Sequence, residues 1–413
     1  MWKRWRIRIV LFLAVLGPGF ITANVDNDSG GIFTYSQAGA QYGYTLLWTI
    51  IPITIALIVV QEMCARMGVV TGKGLSDLIR EEFGLRLTFL LMVMLVIVNY
   101  TNVVTEFIGI AGSLHLFHVT KFVSVPLCAG LVWYMVVRGN YKSTEKIFLV
   151  ASLVYIAYIF AGVLSQPSWH DAMLATVQLP ARSVWGEKDY MYTAVAVVGT
   201  TIAPWMQFYL QSSIVEKGIR VKDYAASRLD VIVGSLFTDI VAWFIIVACA
   251  ATLYVHGMGG IQVASDAAEA MRPLAGDYAF LLFAFGLFNA SLFAASILPL
   301  STAYTVCEGL GFESGVDKHF KEAPFFYWLY TLLIAGGAGT VLWLPDAQLI
   351  KFAIYSQVLN GVLLPVIIIL MLLLINRKDL MGEHRNSRLW NIIAWATSII
   401  VIGMSVVLVM PGH

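Results

Sequence analysis

The sequence contains little charge of either sign. Charged residues make up 12% of its 413 residues, about half of their share in soluble domains, and 26 basic residues nearly cancel 25 acidic ones. Apolar residues make up 59%, and the mean hydropathy is +0.79. This composition excludes a soluble globular enzyme and a disordered chain, and the lack of excess positive charge excludes a nucleic-acid partner. We therefore expect an all-α integral membrane protein that crosses the lipid bilayer several times.

Cysteine and histidine are scarce, and their positions exclude several kinds of site. The four cysteines lie in or at the edge of apolar runs, so we expect small buried side chains rather than disulfides or zinc ligands. All seven histidines lie in predicted loops or at the ends of predicted spans, which leaves none for a metal site or proton relay in the membrane core. We also find no nucleophile–base pair within the spans, so we expect neither an enzyme nor a bound cofactor.

Long apolar runs dominate the rest of the chain. A helix needs about 20 mostly apolar residues to cross the hydrocarbon core. Eleven segments meet this requirement, and they are joined mostly by short polar loops that leave no room for an obligate partner domain. The predicted transmembrane segments are 8–42, 44–65, 87–114, 120–137, 145–165, 190–214, 229–256, 277–306, 323–344, 349–375 and 389–410.

The basic residues predict the orientation of these segments. Lys and Arg concentrate in cytoplasmic loops. With the N-terminus inside, 21 of the 26 basic residues fall on the cytoplasmic side, including those at 3–8, 66–86 and 138–146. We therefore expect a cytoplasmic N-terminus and, because the number of spans is odd, an external C-terminus. The short loops suit the inner membrane of a bacterium.

The first segment contains residues that break a helix at membrane depth. Gly17-Pro18-Gly19 is followed by Asn24 to Gly31, a polar stretch that includes Asp26 and Asp28. Pro lacks an amide donor and Gly disfavours helix, so the backbone should unwind there. Freed backbone groups inside a membrane must be buried in protein or line a cavity. Acidic residues at this depth usually mark a functional pathway, although a kinked helix with its carboxylates reaching the interface would also fit.

A second break is expected at Val197 to Trp205 in the sixth segment. Broken helices at matching positions of two halves indicate a transporter site at the midplane. We therefore predict two inverted repeats, 1–165 and 190–375, followed by an extra helix at 389–410. If the breaks meet, carbonyl groups and Asp28 face each other, and such an oxygen site favours a hard cation.

Other polar residues within the spans have two interpretations each. Glu106 and Asp239 are single acids that could serve an ion or proton pathway, or could bond within the bundle. Gln357 and Asn360 share a helix face, and they point either into the site or toward a neighbouring helix. Glu62 and Arg66, four residues apart, are expected to form a structural ion pair.

Three motifs carry a resemblance to a known family. GPGF at 17–20, QAGAQYGYTLLW at 37–48 and CARMGVVTGKGL at 64–75 resemble the Nramp family of divalent-metal transporters, and the likeness covers nearly the whole chain. The resemblance implies the LeuT-type fold of two five-helix inverted repeats with helices 1 and 6 broken.

The sequence departs from the family pattern at the positions that bind metal. Family members usually carry Asp-Pro-Gly-Asn in the first break and Met-Pro-His in the second. Here Asp28 is kept, but Gly31 replaces the asparagine. Ala203 and Trp205 replace the methionine and the histidine, although a shift of one residue would bring Met206 to the site. These departures resemble the Nramp-related magnesium transporters, which are described as carrying Mg²⁺ and Mn²⁺ without proton coupling.

The resemblance also implies roles for individual residues. Asp28 is expected to be the main ligand, with carbonyl groups near Val25 and Thr200 and with Gln357 holding a coordinated water. Asp26 adds negative charge or caps the broken helix. Glu106 matches the acidic residue of the third helix, but its usual acidic partner one turn earlier is Val103. Asn360 and Asp239 are candidates for the cavity or a relay.

Three functions follow from these residues. The first is uncoupled import of Mg²⁺ and Mn²⁺, because loss of the soft methionine ligand favours a hard, partly hydrated ion. The second is an ordinary proton-coupled Mn²⁺/Fe²⁺ symporter. The third is an organic-solute symporter of the amino-acid type on the same fold, which the acidic pair Asp26 and Asp28 disfavours.

Overall fold

The computed structural model describes residues 17–138, 155–181, 184–185, 187–257, 259–261, 264–316 and 318–409. These residues are almost entirely helical. The helices are α1 (Pro18–Asn24), α2 (Ser29–Tyr42), α3 (Ile50–Thr71), α4 (Leu75–Phe83), α5 (Leu85–His115), α6 (Lys121–Arg138), α7 (Ile156–Leu164), α8 (Trp169–Val177), α9 (Lys188–Thr201), α10 (Pro204–Glu216), α11 (Tyr224–Cys249), α12 (Ala264–Leu310), α13 (Pro324–Trp343), α14 (Asp346–Ile375), α15 (Lys378–Met381) and α16 (Arg388–Val409).

Within these ranges, eight helices are long and apolar enough to cross a membrane. They are α3, α5, α6, α11, α12, α13, α14 and α16, and they correspond to the predicted segments two, three, four and seven to eleven. The first and sixth predicted segments are each broken into two shorter helices, as expected. Residues 1–16 and 139–154 lie outside the described ranges, and with them parts of segments one and five and the basic residues at 3–8.

The second predicted segment is longer than expected. Its predicted end at residue 65 is wrong, because α3 continues to Thr71 and stops at Gly72, whose φ of 64° favours glycine. The helix holds a charged pair near its end: Nη2 of Arg66 lies 3.0 Å from Oε2 of Glu62. The two opposite charges stabilise each other within α3, and the helix continues past both residues. The predicted ion pair is confirmed.

Two helices form where only loops are expected. Helix α4 is amphipathic and buries Leu75, Leu78 and Ile79, while α8 packs against the residues that precede α3. The prediction for the cysteines is confirmed, since all four are buried and none forms a disulfide.

The two broken helices lie at the centre of the bundle. Helix α2 packs against α5, α9, α11 and α14, and α1 packs mainly against α11. Helices α9 and α14 approach so closely that a Cβ on Gly199 would lie 2.1 Å from the carbonyl oxygen of Gln357 and 2.4 Å from the amide nitrogen of Gly361. The unwound residues are therefore surrounded by protein rather than lipid, as buried backbone in a membrane requires.

Candidate ion site at the two helix breaks

The first break centres on Asp28. Helix α1 ends at Asn24, a short 3₁₀ turn covers Val25–Asn27, and Asp28 is extended with ψ of −176°. Asp28 then caps α2, because its Oδ1 accepts a 2.7 Å hydrogen bond from the amide of Gly31. This places a buried carboxylate at the N-terminal end of a helix, where the helix dipole stabilises negative charge.

The second break lies at Ile202 and Ala203. Helix α9 ends at Thr201, Ile202 leaves the helical region, and Ala203 is extended with ψ of 138° before Pro204 starts α10. Ala203 has no side-chain polar atom to cap that helix. The first turn of α10 contains Met206, fully buried, whose amide donates to the carbonyl oxygen of Ala203 at 3.1 Å.

The two breaks meet beside Gly31. A Cβ at this position would lie 2.2 Å from the carbonyl oxygen of Asp26 and 3.4 Å from Oγ1 of Thr200. The carbonyl of Asp26 therefore occupies the space that a side chain at position 31 would need. Only glycine allows this approach, which brings the carbonyl oxygen of Asp26 next to the first turn of α2, the helix that Asp28 caps.

Glu106 connects α5 to the start of α2. It is fully buried, and its Oε2 accepts hydrogen bonds from the amide of Ser29 at 3.2 Å and from the hydroxyl of Ser29 at 2.9 Å. Its other oxygen, Oε1, has no hydrogen-bond partner. Glu106 also interacts electrostatically with Asp28, so it both anchors α2 and adds negative charge to the site.

Gln357 lies directly against the first break. A Cβ on Gly30 would be 2.1 Å from its Nε2. The same amide group donates to Oδ1 of Asn102 at 3.2 Å and accepts from Nδ2 of Asn360 at 2.8 Å. Gln357 and Asn360 therefore share a helix face, as expected, and Gln357 contacts both the break and a neighbouring helix.

Asn102 was missed at the level of the sequence. It exchanges two hydrogen bonds with Asn360, of 3.0 and 3.1 Å, and so joins α5 to α14. One signal was available, because Asn102 precedes Glu106 by four residues and must share its face of the helix.

Asp26 and Asp239 form the other acidic part of the centre. Both are buried, with 1% and 3% of their surface exposed, and none of their four carboxylate oxygens accepts a well-formed hydrogen bond, although the hydroxyl of Thr54 approaches Asp239. Asp26 interacts electrostatically with Asp239 on one side and with Asp28 on the other. Together with Glu106, these residues form a series of four buried acids that runs from α11 through the first break to α5.

Trp205 lies in the first turn of α10 and is 1% exposed. Its ring packs against Tyr209, with 6.2 Å between ring centres, and its carbonyl oxygen accepts a 3.3 Å bond from the hydroxyl of Ser301. The indole therefore fills space beside the second break without a group that exchanges protons.

Asp230 was also missed. It lies on α11, and its carboxylate accepts hydrogen bonds from the amides of Gly17, Gly19 and Phe20. The start of α1 lacks a side-chain cap of its own. That lack was a signal in the sequence, because Gly-Pro-Gly at a helix start leaves free amides that need an acceptor from elsewhere.

The donors at the breaks are mainly oxygen atoms. Among the described residues, no three His, Cys, Asp or Glu side chains come close enough together to hold a metal ion. The available ligands are separate carboxylates, carbonyl groups and one amide side chain. Such a set suits a hard cation that keeps part of its water shell.

A multi-pass helical bundle whose two broken helices meet at a buried aspartate is a membrane transporter of the LeuT-type fold rather than an enzyme. The chain belongs to the Nramp family. The family profile described as "Natural resistance-associated macrophage protein-like" matches residues 19–411.

Comparisons with individual proteins agree with this assignment. The chain is 27% identical over 402 residues to the divalent metal cation transporter MntH of Erwinia tasmaniensis, a match that covers 95% of this chain and 93% of the relative. The crystal structure of the Eremococcus coleocola manganese transporter superposes with a TM-score of 0.77 at 22% identity, covering 96% of this chain and 86% of that one. A nucleobase-cation-symport-1 family transporter in a closed conformation superposes with a TM-score of 0.58 at 14% identity, covering 96% and 88%.

Proposed function

We propose that this protein imports Mg²⁺, and Mn²⁺ as well, into the cytoplasm by alternating access and without proton coupling. The relatives support transport of a divalent metal, since the Erwinia protein is named a divalent metal cation transporter and the Eremococcus protein a manganese transporter. The choice of Mg²⁺ rests on one observation: Asp28 is the carboxylate at the break, while Gly31 and Ala203 supply no side-chain donor.

The donor set favours an ion that keeps its water. Mg²⁺ dehydrates reluctantly and is usually held by one or two carboxylates together with several waters. In our proposal Asp28 binds the ion directly, carbonyl groups of Val25 and Thr200 contribute in different access states, and Gln357 holds a coordinated water. The carbonyl of Asp26 beside Gly31 offers a further oxygen. A thioether would favour transition metals instead, and Ala203 does not provide one.

The membrane potential is sufficient to drive such uptake. Each divalent ion that enters across about 100 mV, inside negative, gains about 4.6 kcal/mol. Trp205 has no titratable group, so the histidine step of proton movement is missing in this proposal. The orientation and the two repeats remain part of it: a cytoplasmic N-terminus, an external C-terminus, repeats at 1–165 and 190–375, and an extra helix at 389–410.

One observation favours proton coupling as a second candidate. Four buried carboxyl groups follow one another from Asp239 to Glu106, and such groups could accept protons during transport. Under this alternative the protein is a proton-coupled Mn²⁺/Fe²⁺ symporter.

Ion flux into proteoliposomes tests the proposal. A fixed inside-negative potential should drive Mg²⁺ entry in the wild type, and Asp28→Ala should lower the initial rate at least tenfold. The matched control is Asp379→Asn, which removes an exposed carboxylate of α15 that pairs with Arg377, and it should leave the rate unchanged. Full uptake by Asp28→Ala would contradict the site. A pH-sensitive dye inside the vesicles should show no change during metal entry, whereas metal-dependent acidification would establish the second candidate.

A further inference from the structure

Two buried carboxylates, those of Asp26 and Asp239, lie next to the proposed Asp28 site. Neither carboxylate accepts a well-formed hydrogen bond: only the hydroxyl of Thr54 approaches Asp239, and that hydroxyl donates to the carbonyl oxygen of Ile50 at 2.7 Å. Both acids are almost completely buried, and the charged side chains that act on Asp26 are Asp239 and Asp28, which are themselves acidic. Buried carboxyl groups are neutralised either by a proton or by a bound cation, because the neighbouring side chains supply no positive charge.

Several hydrogen-bond donors around the pair are committed to other acceptors, whereas the buried hydroxyls of Tyr155 and Ser235 have no partner. The hydroxyl of Thr201 donates to the carbonyl oxygen of Val197 at 2.8 Å, so the hydroxyl of Tyr35, 2.7 Å away, must donate its proton to Thr201. Tyr35 interacts electrostatically with both Asp26 and Asp239 but has no second proton to offer.

The same holds on the side of α11. The amide of Asn27 donates to the carbonyl oxygen and to Oγ1 of Thr238, at 3.0 and 2.9 Å. Thr238 in turn donates its hydroxyl proton to the carbonyl oxygen of Ala23 at 2.5 Å. These bonds fix α1 and the 3₁₀ turn against α11 and thereby hold Asp26 opposite Asp239.

Two further buried oxygen atoms lie on the same segments without partners. They are Oδ1 of Asn27, which follows Asp26 in the chain, and Oγ of Ser235, which lies one helical turn before Asp239. Together with the four carboxylate oxygens of Asp26 and Asp239, they make six hard oxygen donors. A divalent cation matches both the charge and the donor type.

We propose that Asp26 and Asp239 form a second site for a hard divalent cation, adjacent to the site at Asp28. The two sites share the 3₁₀ turn but differ in their carboxylates: Asp28 accepts a hydrogen bond from Gly31 and interacts with Glu106, whereas the carboxylate of Asp26 interacts with Asp239. An ion at the second site holds α11 to the first break, and it lies next to the ion at Asp28. This inference rests on the proposed function for the kind of ion, because the transported metal is the divalent cation that reaches the site.

The number of bound ions tests the inference. The purified full-length protein in detergent should bind two Mn²⁺ ions per chain, measured by calorimetry or by the electron paramagnetic resonance signal of free Mn²⁺. Asp239→Asn should bind one. Two neighbouring Mn²⁺ ions broaden each other's resonance spectrum, so the bound signal should sharpen in Asp239→Asn. Asp26→Asn gives the same readout if Asp239→Asn does not fold.

A control variant removes a carboxylate outside the site. Glu308→Gln on α12 removes a carboxylate whose Oε2 already accepts a 2.9 Å hydrogen bond from the hydroxyl of Ser212, and it should still bind two ions. A wild type that binds one ion, or Asp239→Asn that binds two, would overturn the second site. Complete displacement of one Mn²⁺ when choline is replaced by Na⁺ would also overturn it, because the occupant would be monovalent.

The experiment separates this inference from the proposed function. Asp28→Asn should lose one ion and retain one, and the double variant Asp28→Asn/Asp239→Asn should bind none. If the wild type binds two ions but Asp28→Asn still transports Mg²⁺, the transport site is wrong and the second site stands. If the wild type binds a single ion that Asp28→Asn loses together with Mg²⁺ uptake, only the second site is wrong.

Discussion

Oδ2 of Asp230 accepts a 2.8 Å hydrogen bond from the amide of Gly19 and so fastens the start of α1 to α11. Oδ1 of the same carboxylate accepts from Gly17 at 3.0 Å and from Phe20 at 3.2 Å. Three amides that have no partner inside the helix are satisfied by one residue more than 200 positions away in the chain. Any movement of α1 away from α11 must first break these bonds.

We expect Asp230→Asn to loosen this attachment. The variant loses the charge that strengthens the bonds, and hydrogen bonds to charged groups are worth about 1.5–3 kcal/mol. Hydrogen exchange measured by mass spectrometry should become faster in the peptide that contains Gly17, Gly19 and Phe20. Asp239→Asn, on the same helix, should leave that peptide unchanged. Equal protection in Asp230→Asn and the wild type would contradict the role of these bonds.

Gly31→Ala should abolish most transport. Its Cβ would lie 2.2 Å from the carbonyl oxygen of Asp26, so the 3₁₀ turn or α2 must shift and carry Asp28 with it. We expect the initial rate of Mg²⁺ uptake to fall at least tenfold. Gly339→Ala on α13 is the control, because its Cβ meets nothing within 4 Å. That variant should transport normally and should be slightly more stable, since alanine favours helix by about 0.5–1 kcal/mol.

The amide cluster should behave as one unit in unfolding experiments. Asn102→Ala removes the amide that donates to Oδ1 of Asn360, and an unsatisfied buried polar group costs about 1–3 kcal/mol. Asn360→Ala should cost a similar amount. Because the two residues exchange both hydrogen bonds, the double variant should lose less stability than the sum of the single variants, by about 0.5–3 kcal/mol. Additive losses in a denaturant titration would show that the residues act independently.

Ala203→Met should shift the metal preference. A thioether at the start of α10 would add a soft ligand, which favours Mn²⁺ or Cd²⁺ over Mg²⁺. We expect Cd²⁺ to compete more strongly with Mg²⁺ uptake than it does in the wild type. Ala203→Leu has a similar size but no sulfur, and it should reduce transport of both ions without changing their ratio. An identical competition curve for the Met and Leu variants would contradict the argument from ligand hardness.

Local chemistry made the two breaks predictable. Gly, Pro and buried acids near Asp28, and Pro204 after Ala203, disfavour helix regardless of their surroundings. The shared face of Gln357 and Asn360 was predictable from helix geometry, because residues three positions apart lie on one side of a helix. The end of α3 was not predicted, because the apolar run stops at residue 65 whereas the helix continues to Thr71 and ends at Gly72.

Hydrogen-bond partners that depend on packing between distant helices could not be predicted from the sequence. The residues around Asn102 do not identify Asn360 as its hydrogen-bond partner. Likewise, the residues around Asp230 do not indicate that it accepts from the amides of Gly17 and Gly19. The same limit applies to Gly31. The sequence does not show that the carbonyl of Asp26 occupies the space that a side chain at position 31 would need.

The close approach of Gly199 to Gln357 and Gly361 has a consequence for motion. Because no side chain separates the two backbones, α9 and α14 cannot slide or roll past each other without a steric clash. We therefore expect α9 and α14 to move together, so that any change of access during transport rotates them at other interfaces. The junction of α1 and α11, held by the hydrogen bonds of Asp230, is one such interface.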